Sequence, residues 1–179
     1  MPTLIDGSQL WAVRARIPAT MPKIRHSATL AVNAATEVAF DVVAADLMAV
    51  ADDPDKMVGQ RPLTDGPLRE GFRWQQTVVH NRKLCHTWWC ITEAVRPRVL
   101  EQTMLHFCAD SQLEMHGGER WEFHVDDGGS TLVELRSWRS NRGVAGWIEK
   151  LLREGARSDA TLPLKKRLAY VQFEAERRS

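Results

Sequence analysis

Three polar residues fall on strand faces that are otherwise apolar: Gln76, Gln102 and His106. An imidazole flanked by amides can move protons, because its ordinary pKa near 6.5 lets it give or take one at neutral pH. The same three side chains can instead bond one another, hold a trapped water, or orient the oxygens of a bound molecule. A buried polar group without a partner costs about 1–3 kcal/mol, so one of these arrangements is required. His106 is thus the candidate acid or base of an enzyme, or else a hydrogen-bonded residue at a cavity rim. The other histidines, His26, His80, His86, His116 and His124, form no ligand-like pair on a helix. Cys85 and Cys90 are too widely spaced for a CxxC knuckle, so no metal is expected. No nucleophile elbow, phosphate loop, dinucleotide fingerprint or paired-carboxylate motif occurs, and no cofactor is expected. Arg139 and Arg142, near the end of the last predicted strand, can either stay solvated or hold a carboxylate or phosphate.

Around these residues the chain is rich in tryptophan, with seven against a single tyrosine. Indole supplies a large apolar surface with one N–H donor, which suits a core and equally the wall of a pocket. Strand alternation places Trp74, Trp89, Ile91, Met104 and Trp121 on one face. Trp88, adjacent to Trp89, must point to the other face. There it is covered by the N-terminal arm or a second copy, or stands exposed as a contact patch. Trp147 and Leu151 belong to a following helical pattern and complete the expected lining.

The elements that must position these groups are legible from periodicity and turn residues. Residues 1–26 read as an extension, with Pro18 and Pro22 in an irregular arm. A short strand over 28–33 leads to Thr36, the expected N-cap of a helix carrying Val38, Phe40, Val42, Val43, Leu47 and Met48. Pro54 ends that helix, and a loop or helical turn is expected as far as Gly66-Pro67. Strands are expected over 72–80, 84–95, 99–108, 112–125 and 131–140. The turns between them are Asn81-Arg82-Lys83, Arg96-Pro97-Arg98 and Asp127-Gly128-Gly129, with a bend near Gly117-Gly118. After Gly143 the apolar period becomes helical, interrupted near Pro163, with Asp159 or Thr161 as the cap of the second half. An antiparallel sheet with one apolar face must bury it, and the long amphipathic helix comes last. One helix laid across a curved sheet cannot fill the space beneath it, so an internal cavity remains.

Composition narrows the function classes. The chain of 179 residues is long enough for one substantial core and carries a net charge of +1 from 24 basic and 23 acidic residues. That balance argues against nucleic acid or an anionic membrane surface as the main partner. No stretch approaches the 18 apolar residues of a membrane span, and the first residues lack a signal-like apolar run. Cytoplasmic location with free thiols at Cys85, Cys90 and Cys108 is the expectation.

Five segments, in this order, resemble one superfamily. They are Ser27-Ala28-Thr29-Leu30-Ala31-Val32-Asn33-Ala34, Gly71-Phe72-Arg73-Trp74, Trp89-Cys90-Ile91-Thr92-Glu93, Arg96-Pro97-Arg98-Val99-Leu100, and Gly129-Ser130-Thr131-Leu132-Val133. Over residues 27–177 the chain resembles the SRPBCC or START-like superfamily, in particular its polyketide cyclase/dehydrase and lipid-transport group. Two departures stand out: Ala51-Asp52-Asp53-Pro54 lacks that group's frequent tryptophan, and Pro163 interrupts the last helix. The resemblance implies an α+β helix-grip fold, a curved antiparallel sheet wrapped around a long C-terminal helix with an internal cavity. It implies binding of a small hydrophobic molecule of lipid, polyketide, sterol or isoprenoid type by a carrier or sensor. A cyclase or dehydratase using His106 is the alternative. A protein-interaction module, with Trp11, Trp88 and Trp138 as exposed anchors, is the third reading, and a homodimer is compatible with all three.

Overall fold

A computed structural model describes residues 24–48, 57–80, 83–108, 112–141 and 161–179. Its elements run β1 (Ile24–Val32), α1 (Thr36–Met48), β2 (Met57–Pro62), β3 (Arg73–His80), β4 (Lys83–Val95), β5 (Val99–Cys108), β6 (Gln112–Val125), β7 (Thr131–Asn141) and α2 (Leu162–Arg178). The strands form one antiparallel sheet in the order β1-β7-β6-β5-β4-β3-β2. From β2 to β7 each strand pairs with the next, so hairpin turns set the register. The β6–β7 turn shows how: Asp126 Oδ1 accepts from the backbone N–H groups of Gly128 and Ser130 at 2.9 and 2.8 Å. Gly129 takes φ +83° there, a conformation that favours glycine.

One face of the sheet, the inner one, meets both helices. Phe40, Val43 and Leu47 from α1 and Leu164, Leu168, Val171 and Ala175 from α2 are buried with Leu100, Trp121, Phe123, Val133 and Leu135. Phe40 and Phe123 meet at 5.5 Å between ring centroids. The spacing of the α2 set, at 164, 168, 171 and 175, is the apolar stripe of an amphipathic helix. The far end of α2 is tied to β1 and its exit, where Gln172 Nε2 donates to the Ala31 carbonyl and Asn33 N donates to Glu176 Oε1.

Several expectations need correction. The loop expected before Gly66 contains β2, an edge strand whose Gly59 and terminal Pro62 hide its periodicity. Thr36 is already helical, and its hydroxyl bonds the Glu37 carboxylate instead of capping the backbone. β1 starts at Ile24, ahead of the expected strand, because pairing with β7 continues to Arg139. Pro163 lies in the first turn of α2, where its missing N–H costs nothing, and Thr161 stands at the N-cap without a side-chain capping bond. The helical pattern expected over 143–160 lies outside the described residues.

On the outer face Trp88 (6% exposed) and Leu105 (1%) oppose each other and are buried. Trp88 is therefore not the exposed anchor of the interaction-module reading, and Trp11 lies outside the described residues. Cys85 is disulfide-bonded, which corrects the expectation of free thiols there. Strand register, invisible in cysteine spacing, decides which sulfurs meet. Cys90 is buried, with its thiol directed to the Ile91 carbonyl at 3.4 Å. No described helix is long and apolar enough to cross a membrane.

Candidate functional site

Beneath the first turn of α2 the inner face leaves a pocket of about 230 Å3. Trp89 and Met104, cross-strand neighbours on β4 and β5, form its apolar wall, and Pro163 and Leu164 of α2 cover it. The rest of the wall carries the polar residues His26, Glu119, Ser137 and Arg139 together with Gly118 and Trp138. Register explains the grouping. Gln102 opposes Glu119, Glu119 opposes Ser137, and Ser137 opposes His26, so four polar side chains form one row across four strands. Among the described residues no group of three His, Cys, Asp or Glu side chains is placed to hold a metal.

The sequence candidates divide between wall and core. Trp74, Ile91 and Trp121 are fully buried in the inner-face core. Trp74 stacks on Trp89 at 5.8 Å with an interplanar angle of 8°, a near-parallel arrangement that holds the Trp89 ring against the wall. Trp89 Nε1 donates to Gln76 Oε1 at 2.9 Å, and Gln76 Nε2 donates to Gln60 Oε1 at 3.0 Å. Gln76 thereby orients the lining indole. Of the arrangements open to Gln76, Gln102 and His106, mutual bonding is not the one adopted. Each turns to the strand beside it: Gln102 Nε2 donates to Glu119 Oε2 at 2.9 Å, and His106 Nδ1 pairs with Thr87 Oγ1 at 2.8 Å. Trp147, Leu151 and Arg142 lie outside the described residues.

Sequence reading missed Glu119 and Arg167. Arg167, on α2, reaches back to Glu119, approaches Asp46 at 3.8 Å, and lies 5.0 Å over the Trp121 ring. Burial works against its charge, but Glu119 more than offsets this and raises its pKa. The group clamps the start of α2 onto the sheet beside the pocket. Alternation was the available signal, since Glu119 stands two residues before Trp121 and shares its face.

On the outer face a second polar group surrounds His86. Arg61 donates through Nε and Nη2 to Gln75 Oε1, and Gln75 Nε2 donates to His86 Nδ1 at 2.9 Å. Burial, then the Arg61 charge, lowers the His86 pKa from its usual 6.5. The unfolded chain binds this proton more readily, so this group's contribution is full above the unfolded value near 6.5 and is lost progressively as pH falls from there through the lowered folded value. We expect the thermal midpoint to drop between pH 7.5 and 5.5, and the drop to shrink in His86→Gln. Equal slopes for the two proteins, followed by circular dichroism, would remove His86 from that role.

These features define a helix-grip domain: a curved seven-stranded antiparallel sheet with a C-terminal helix across its inner face, the fold of the START-like superfamily. Neither a family model nor a curated protein matches the sequence. Solved structures do match in fold. Norcoclaurine synthase of Thalictrum flavum superposes with a TM-score of 0.59 at 14% identity, covering 90% of this chain and 99% of that one. An aromatase/cyclase from a Streptomyces species gives 0.55 at 18% identity, over 88% and 96%. Ara h 8.0201 gives 0.55 at 10% identity, over 88% and 97%.

Proposed function

We propose that this chain binds a small, largely apolar molecule of lipid, polyketide, sterol or isoprenoid type in the pocket beneath α2, as a carrier or sensor. The observation that supports this most is a cavity with an indole–thioether wall facing a short polar row. Pockets of this kind take the apolar body on one side and fix its orientation on the other. A dry cavity of about 150 Å3 accepts benzene, so about 230 Å3 suits two fused rings or a comparable end of a longer molecule. Equilibrium dialysis against naphthalene is the direct test. Met104→Trp fills the space beside Trp89 and is expected to weaken uptake at least about tenfold, the equivalent of 1.4 kcal/mol. Wild-type protein that takes up neither naphthalene nor any co-purified apolar molecule would refute the reading.

An enzymatic reading, cyclase or dehydratase in type, is favoured by one specific feature. Two groups able to move protons, His26 and Glu119, share the pocket wall. His106 is not part of the described lining, so the catalytic candidate shifts from it to His26. Loss of turnover of a polyketide-like substrate in His26→Ala, with naphthalene binding retained, would separate enzyme from carrier.

A further inference from the structure

We infer that residues 1–23 dock across the outer face of the sheet, behind the two strands that carry the apolar wall of the pocket. The outer face divides along the strands into two unlike halves. At one end it is charged and meets water: Arg120 binds Glu93, Glu101 and Glu122, and Arg136 binds Glu134. At the other end it is apolar, and Trp88, Cys90, Leu105 and Phe107 are buried there beside Gln75. None of these four apolar residues belongs to the inner-face core, where both described helices pack. A sheet face open to water carries polar side chains and does not hide a tryptophan and a leucine by itself. Their cover therefore comes from chain outside the described residues.

Register selects the segment. Gln75, Trp88, Leu105, His116 and Ser140 form one lateral row from β3 to β7. Ile24, the first residue of β1, pairs with Arg139, so the chain before it meets the sheet level with Ser140, at the end of that row. From β1 to Gln75 the row runs five strand spacings, about 24 Å. The 23 residues ahead of β1 would span about 34 Å even if wholly helical. They supply apolar side chains for the task in Leu4, Ile5, Leu10, Trp11, Val13 and Ile17. The other segments outside the described residues are tied elsewhere. Residues 49–56 must pass from α1, on the inner face, into β2, and residues 142–160 lead to Pro163, which covers the inner pocket. Residues 81–82 and 109–111 are too few to cross the row. Trp88 and Leu105 stand next to Trp89 and Met104 on the same two strands, so the docked segment backs the pocket wall. Docking does not depend on what that pocket holds.

Full-length protein with photo-leucine in place of leucine tests the docking, because a carbene generated at the buried position 105 reacts with whatever covers it. We expect mass spectrometry to find the peptide containing position 105 joined to one from residues 1–23 within a single chain. Links from position 105 that reach only residues 49–56, residues 142–160, a second copy or the adjoining strands would overturn the inference. A second readout is the full-length variant carrying Leu10→Asp and Trp11→Asp. Its thermal midpoint should fall by at least about 4 °C, since two large apolar side chains lose their burial. An unchanged midpoint would equally overturn the inference.

Discussion

Trp74→Ala is expected to lower the stability of the domain by about 3–5 kcal/mol, the upper range for truncating a buried aromatic side chain. The side chain is 1% exposed, stacks on Trp89 at 5.8 Å and touches Phe72 at 6.2 Å between ring centroids. Removing it opens a hole that the surrounding strands cannot close, because both neighbours are held by backbone pairing. It also releases Trp89, whose ring would be fixed only by the bond to Gln76. Chemical denaturation should show a lower midpoint with an unchanged slope, and naphthalene uptake should change in the same variant. A loss below about 1 kcal/mol would mean that the stacked pair is not a packed unit.

Arg167→Met is expected to cost about 2 kcal/mol, or roughly 4–8 °C in thermal midpoint for a chain of this size. The value sits below that of a fully buried ion pair because Arg167 keeps 34% of its side chain exposed, where solvent screens the charge. What hurts is the carboxylate left behind: Glu119, 18% exposed, would keep only the Gln102 amide. Combining Arg167→Met with Glu119→Gln should therefore recover most of the loss, since no uncompensated charge remains. A double-mutant cycle measures this coupling directly. A purely additive result would show that the clamp contributes by packing on Trp121 alone.

The sheet was largely legible in the sequence, and the reasons are local. β5 and β6 carry alternating apolar residues bounded by strong turn residues, and their observed limits match the expected ones. β2 was illegible because an edge strand with glycine and proline has neither alternation nor a buried face to reveal it. At the site, alternation placed Trp74, Trp89 and Met104 on a common face. It did not reveal the hydrogen bonds, which depend on lateral register: His106 meets Thr87 only because β4 and β5 pair with that offset. Arg167 was illegible for a different reason, since its partner lies 48 positions away in a separate element. No periodicity within α2 identifies which strand it crosses.

The two glycines of β6 make the sheet thin at its centre. A β-carbon on Gly117 would stand 3.1 Å from the terminal methyl of Met104 on the inner side, and one on Gly118 would stand 2.4 Å from the Trp138 ring on the outer side. Bare main chain thus lies between the Met104 methyl and the Trp138 ring, two residues that both border the pocket. A side chain at either position would also run into neighbouring backbone oxygens, that of Trp138 at 2.7 Å from a β-carbon on Gly117 and that of Gln102 at 2.5 Å from one on Gly118, so even alanine there would force the strands themselves to shift.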